Sequence, residues 1–340
     1  MPIALHHRSA GRTARRQGEA DNRAGGGAQR GGHGDHGTLF RTAPAGTSPA
    51  MNASADHNEN PGDKPFDRNL RRTRRDRAFA GWAEHAFLQQ AMAEELAERL
   101  DTVQRDFSRA LILGHSGDAL PRALESRTIT HITADPGFSF AESDGGIQCD
   151  EDRLPFAAES FDLVLSAGLL DTVNDLPGAL HLIRRVLRPD GLFLGACLGA
   201  GSLPVLRSAM HEADMVSGRA APRIHPQIDI RAAGDLLGRA GFALQVADCE
   251  ELTVRFSSFG RLIGDLRGSA NSSLLGGPPL SKSAYAAAAA AFESAQVDGK
   301  TAEKFAILYL TGWAPSPDQP KAAVRGSGTA SLADVLKPKS

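Results

Sequence analysis

The sequence predicts an α/β fold built on a mostly parallel sheet with helices on both faces, and three observations carry that expectation. Short apolar runs alternate with stretches of helical period from residue 108 to about 315. The apolar runs are bounded by glycine, proline and aspartate, the punctuation of buried strands. Repeated strand–helix units need crossover connections, which make neighbouring strands parallel and leave two sheet faces to be covered.

The elements follow in order. Residues 1–62 are rich in Gly, Arg, His, Ala and Ser, with glycine runs at 25–27 and 31–34. They hold too few apolar residues to offset the entropy of ordering, so disorder is expected there, with Met51 a candidate start inside the segment. Residues 63–107 read as a basic helical extension: Phe66-Asp67-Arg68, then Arg71, Arg72, Arg74, Arg75 and Arg77, then Trp82, Phe87, Leu88, Met92, Leu96 and Leu100 at helical spacing. The basic cluster over 64–77 reads either as a solvated helix face or as a docking patch for a partner. At a net charge of −2 no global field draws the chain to nucleic acid, which is not the expected partner.

Strands are expected at 110–113, 129–134, 161–166, 192–197, 242–247 and 305–310, and helices at 175–187, 230–240 and 282–295. Asn174-Asp175-Leu176-Pro177 supplies an N-cap and an early proline, and Arg188-Pro189-Asp190-Gly191 turns the same helix into the next strand. The domain is expected to span 108–315, with insertions at 201–229 and 257–281 as a substrate or partner cap and a disordered tail at 316–340. Cys149, Cys197 and Cys249 lie far apart, without a C-x-x-C pair or a histidine at ligand spacing, so they read as free thiols and no metal site is expected. No window approaches the about 20 apolar residues that span a bilayer, and the N-terminus lacks the order of a secretory signal. A cytoplasmic location is the expectation.

In a doubly wound sheet the ligand lies beyond the C-terminal strand ends, where connections diverge, so these ends are the candidate site. The first strand ends in Leu113-Gly114-His115-Ser116-Gly117-Asp118, where glycine lets backbone approach a ligand and the next helix start can serve an anion. The second ends in Ala134-Asp135-Pro136, a carboxylate about 20 residues after the glycine turn, able to accept from both hydroxyls of a ribose. A third connection runs Cys149-Asp150-Glu151-Asp152-Arg153-Leu154-Pro155-Phe156 into Ser160-Phe161-Asp162-Leu163-Val164. Gly114-His115-Ser116 also begins like a nucleophile elbow, but Asp118 stands at the closing glycine and only a helical region precedes it, so Ser116 reads as a helix cap. Arg223 and His225 in the first insertion, and Asp265 and Asn271 in the second, are candidate substrate or partner contacts, or ordinary turn residues. No catalytic residue stands out.

The acidic loop ending in Leu154-Pro155-Phe156 and the strand after it resemble the type 11 branch of class I S-adenosylmethionine-dependent methyltransferases. Arg188-Pro189-Asp190-Gly191-Leu192-Phe193, Leu236-Leu237-Gly238-Arg239-Ala240-Gly241-Phe242 and the closing apolar run at 306–312 match in the same order. The resemblance implies a Rossmann-like class I methyltransferase fold with a seven-stranded sheet. It also implies S-adenosylmethionine as cofactor, held by Gly114, Ser116, Gly117, Asp135, Pro136, Asp150, Glu151 and Ser166, with Asp135 on the ribose and Asp150 on the adenine amino group.

A narrower resemblance is to the family of mitochondrial complex I assembly factor 5 and its bacterial relatives. It is carried by Phe66-Asp67-Arg68, Val173-Asn174-Asp175-Leu176-Pro177, the 224–242 segment and Asp265-Leu266-Arg267-Gly268. It implies action on a protein side chain or small molecule in respiratory complex I biogenesis, with a complex I subunit as partner. Methyl transfer, arginine hydroxylation and a non-catalytic assembly role on the same fold are the three readings it leaves. The chain departs from the methyltransferase pattern at the glycine loop, where Ile112 replaces an acidic residue and Ser116 and Asp118 replace the second and third glycines. Leu170-Asp171-Thr172 likewise replaces Leu-His-Trp. A Cβ at Ser116 is expected to crowd a ligand, and Asp118 to repel a carboxylate.

Overall fold

A computed structural model describes residues 64–319; the expectations for 1–62, for a start at Met51 and for the tail after 319 lie outside the described residues. The first helix, α1 (Arg68–Ala78), begins where the Asp67 side chain accepts the Leu70 N–H. It is followed by α2 (Trp82–His85), α3 (Phe87–Asp101), β1 (Arg109–Leu113), α4 (Ala119–Glu125), β2 (Thr130–Asp135), α5 (Phe138–Ser143), β3 (Ile147–Gln148) and β4 (Phe161–Ala167). Then come α6 (Leu176–Val186), β5 (Leu187–Leu198), α7 (Pro204–Ser217), α8 (Ile230–Arg239), β6 (Ala243–Phe256), α9 (Phe259–Gly268), α10 (Lys282–Ser294), β7 (Gln296–Val297) and β8 (Lys300–Trp313).

The strands form one sheet in the order β3-β2-β1-β4-β5-β8-β6, with β7 paired to β8 off that path. β1 to β5 pair in parallel, while β8 is antiparallel to β5, β6 and β7 and so alone runs against the rest. This is the Rossmann-like α/β fold that the strand–helix alternation predicts. Seven strands lie on the main path; the eighth, β7, is a two-residue arm folded back on β8, too short for any periodicity to reveal.

Alternation along the strands divides the core into two layers. Ala110 and Ile112 of β1, with Leu163 and Leu165 of β4, pack with α3, α4, α7, α9 and α10. Leu111, Leu113 and Val164 pack on the other face with α6 and α8. Helix α3 sends Leu88, Met92, Leu96 and Leu100 into the first layer, so the extension before β1 forms part of the sheet's cover. The first insertion folds as α7 and the second contains α9. The start of α7 is fixed from β8, where the buried Glu303 carboxylate accepts the Val205 and Leu206 N–H groups.

The strand order reverses at β1, which pairs with β2 on one side and β4 on the other. Leu113 lies level with Ala134 and Ser166, and the connections diverge above these residues to leave a crevice. Since Leu96 is fully buried, Leu96→Ala is expected to cost about 3 kcal/mol, as at a core position. Urea unfolding measures this; a loss below about 1 kcal/mol would mean that α3 lies outside the cooperative core.

Candidate functional site

The crevice is built from the ends of β1, β2 and β4 and the loop before β4. Gly114 has φ +91°, and a Cβ there would lie 2.4 Å from Leu169 Cδ1, so the glycine is required by packing under the loop after β4. Ser116 is buried with its Oγ unpartnered, while Asp118 faces solvent and pairs with Arg122 at 2.6 Å. The expected repulsion is therefore weakened, because the Asp118 carboxylate is solvated and paired with a cation of its own helix.

Asp135 is buried at the end of β2, and four donors surround its carboxylate. Oδ1 accepts from Arg75 Nε and from the Gly137 N–H, both at 2.7 Å; Oδ2 accepts from Arg75 at 2.5 Å and from the His115 N–H at 2.9 Å. A carboxylate offers about four lone-pair sites, and here each has a donor.

The remaining acidic residues are met in the same way. Arg71 forms a bidentate pair with the buried Glu151 at 2.7 and 2.9 Å and also donates to Thr172 Oγ1 at 3.1 Å. Arg72 donates to Asp150 at 2.6 Å, and Arg68 grips Asp152 at 2.7 and 2.5 Å. Arg68, Arg71, Arg72 and Arg75 are spaced i, i+3, i+4 and i+7 and so form one stripe of α1. The stripe expected to face solvent or a partner instead faces the chain's own carboxylates. Burial is the reason, since three carboxylates at the strand ends cannot leave water without cations beside them.

Aromatic packing covers the glycine loop. Trp82 meets the His115 ring edge-on at 4.7 Å between centroids, and Phe140 stacks on His115 at 4.9 Å. Arg75 lies over Phe140 at 4.7 Å, and a Cβ on Gly117 would touch the Trp82 ring. Around this packing Trp82 Nε1, Gln89 Oε1, Ser116 Oγ, Asp150 Oδ1 and Ser166 Oγ are buried without a hydrogen-bond partner. Pro136 contributes its carbonyl to Gln148 at 3.0 Å. The half-buried Cys149 thiol is pushed up to about 12 by burial and then by Glu151 and Asp150, which disfavours its thiolate near neutral pH.

A second concavity, of about 620 Å³, lies under the cap formed by α7, α9 and the segment after it. Arg223, His225 and Asn271 line it, whereas Asp265 does not: its carboxylate turns to His85 Nδ1 at 2.7 Å and Arg261 at 3.2 Å. Arg223 is committed to Asp214 at 3.3 Å and to the Pro278 carbonyl at 2.8 Å. The wall also contains Asp171, Arg74, Arg77 and Arg267, which the sequence reading did not select for this site. Arg74 and Arg77 were visible only as members of the basic run, and nothing local distinguished their face of α1 from the other.

Two groups of this cavity titrate with opposite consequences. His225 Nε2 accepts the Leu274 N–H at 2.7 Å, and burial followed by the charges of Arg74 and Arg71 pushes its pKa from 6.5 to about 4. Burial raises the partly exposed Asp171 from 3.8 to about 6. His225 stabilises the fold above its unfolded pKa, and that contribution is lost as pH falls from about 6.5 toward 4. Asp171 binds a proton more readily folded than unfolded, so its effect lowers stability as pH rises from about 4 to 6. Denaturant titrations across this window are expected to separate them: Asp171→Asn steepens the loss on acidification, and His225→Gln steepens the loss on raising the pH. Equal slopes in both variants would contradict the assignment.

Residues 114–195 match the family model described as methyltransferase domain. The protein named arginine-hydroxylase NDUFAF5, mitochondrial, of Danio rerio is 34% identical over 287 residues, covering 80% of this chain and 89% of its own. Its Homo sapiens counterpart is 31% identical over 292 residues, covering 80% and 83%. A malonyl-[acyl-carrier protein] O-methyltransferase of Laribacter hongkongensis is 29% identical over 264 residues, covering 71% and 87%. Among solved structures, the YcgJ protein of Bacillus subtilis covers 65% of this chain and 98% of its own at 17% identity and a TM-score of 0.45. No helix among the described residues is long and apolar enough to cross a membrane, but that does not locate the chain. The expected cytoplasmic location is corrected by the NDUFAF5 relatives, which are named as mitochondrial proteins. The methyltransferase-domain segment, and relatives above 30% identity matched over most of their length, show that the chain belongs to the NDUFAF5 family of methyltransferase-domain proteins.

Proposed function

We propose that the chain serves respiratory complex I biogenesis as a non-catalytic assembly protein that keeps the methyltransferase fold. In this reading its cofactor crevice is closed by α1, and the cap around α7 and α9 meets the partner. The observation that carries this reading is the saturation of Asp135. The ribose of S-adenosylmethionine needs acceptor sites that Arg75, His115 and Gly137 already fill. Asp150 Oδ1 accepts no hydrogen bond but lies 3.7 Å from Arg71, and Oδ2 is taken by Arg72. Leaving a buried partner of such a pair uncompensated costs about 3–5 kcal/mol, which would lower cofactor affinity by at least about a hundredfold. In this conformation the residues present do not fit the cofactor.

The second reading is methyl transfer to a protein side chain or small molecule. The match over 114–195 favours it, as do the unpartnered Ser116, Ser166 and Gln89 oxygens, since each buried polar atom without a partner costs about 1–3 kcal/mol. On that reading Gly114, Ser116, Gly117, Asp135, Pro136, Asp150, Glu151 and Ser166 would hold the cofactor after α1 moves away, and the bound sulfonium would supply an activated methyl group.

Isothermal titration with S-adenosylmethionine separates the two. The assembly reading predicts no binding in the micromolar range by the full folded chain. Micromolar binding that Asp135→Ala abolishes would overturn it in favour of methyl transfer.

A further inference from the structure

The cavity under the cap combines two features that nothing in the closed crevice explains. Its interior is apolar, with Leu203, Leu206, Met210 and Phe259 all buried yet contributing to the wall. Its rim is cationic. Arg77 and Arg267 are exposed and, among the described residues, have no carboxylate partner; Arg74 donates only to the Ser273 carbonyl. Burial, and then the charges of Arg267 and Arg77, push the Arg74 guanidinium below its usual value, with Asp67 opposing them more weakly, so these cations repel one another around a shared space.

The other charges of the wall do not cancel them. Arg223 is matched by Asp214, and His225 accepts a backbone N–H and is neutral near pH 7. Among the described residues Asp171 is the single carboxylate in the wall, with its Oδ1 turned out of solvent. Three guanidiniums thus face one carboxylate at the mouth of an apolar chamber. A volume of about 620 Å³ falls within the roughly 300–1,000 Å³ of small-molecule sites.

We propose that this cavity binds an amphipathic anion, a small molecule whose carboxylate or phosphate head is held by Arg74, Arg77 and Arg267 and whose apolar chain lies against Leu203, Leu206, Met210 and Phe259. The chain excludes water from the floor, and the head relieves the repulsion at the rim. The proposal rests on the reading in which α1 stays over the strand ends, because Arg74 and Arg77 belong to that helix.

Calorimetric titration of the full chain with decanoate, octanoate, decanol, decyl phosphate and acetate, each below its micellar concentration, tests this. Decanoate is expected to saturate one site. Each methylene contributes about fourfold in affinity, so decanoate should bind on the order of tenfold more tightly than octanoate. Acetate should not bind measurably, and decanol should bind at least about tenfold more weakly than decanoate, because hydrogen bonds to a charged group are the stronger ones. The ratio of decyl phosphate to decanoate affinity identifies the preferred head. Arg77→Gln with Arg267→Gln should remove the advantage of decanoate and leave decanol unchanged, whereas Arg231→Gln with Arg239→Gln, the same charge change on α8, should alter neither. Ile263→Trp, which fills the chamber, should abolish both.

Equal affinity for decanoate and decanol would overturn the proposal, as would binding of acetate as tight as that of decanoate or undiminished decanoate binding in the Arg77/Arg267 variant. Absence of saturable binding by the folded chain would do so too. Melting curves establish that each variant is folded; should Ile263→Trp fail to fold, the arginine pair decides, since both residues are exposed and, among the described residues, have no carboxylate partner.

Discussion

The structure depends on the neutralisation of buried carboxylates at the strand ends by one stripe of arginines. Asp135, Asp150 and Glu151 are each about 2% exposed, at the topological switch of the sheet. A carboxylate in such a place must be charge-paired, hydrogen-bonded or protonated. Arg68, Arg71, Arg72 and Arg75 meet the first two demands together, and doing so places α1 across the C-terminal edge of the sheet. Once α1 is there, Trp82 packs on His115 and Phe140 and over Gly117, while Leu169 lies against Gly114. The same helix turns Arg74 and Arg77 toward the cap. Both the closed crevice and the cationic rim follow from that one placement.

Much of the sheet was legible in the sequence because its strands are apolar runs with clear punctuation. The long helices α6, α8 and α10 were legible from period and capping, with Asp175, Asp229 and Ser281 each accepting N-terminal N–H groups. The short elements α4, α5, β3 and β7 were not, because fewer than two turns or a two-residue pairing leave no period to detect. Helix α7 was hidden in an insertion. Its start, with Leu203 in the left-handed region, is stabilised by Glu303, about 100 residues away, rather than by a local cap.

The site was legible as a set of residues but not as an arrangement. The i, i+3, i+4, i+7 spacing in α1 shows that four arginines share a face, but it does not show whether that face meets water or acid. That is decided by Asp135, Asp150, Glu151 and Asp152, which only the sheet topology brings alongside. In the same way Asp265 and Arg223 were visible as polar cap residues, yet Asp265 is spent on His85 and Arg223 on Asp214. The arginines left over at the cavity could be identified only after every acidic neighbour had been placed.

The central claim, that α1 is a permanent cover over the strand ends, is tested most directly by amide hydrogen exchange along residues 68–78, with and without saturating S-adenosylmethionine. The account predicts that the hydrogen-bonded amides of α1 exchange about as slowly as those of β1 and β4 and that the cofactor leaves them unchanged. Rapid exchange throughout α1, or a cofactor-dependent change shared by α1 and residues 113–118, would contradict it.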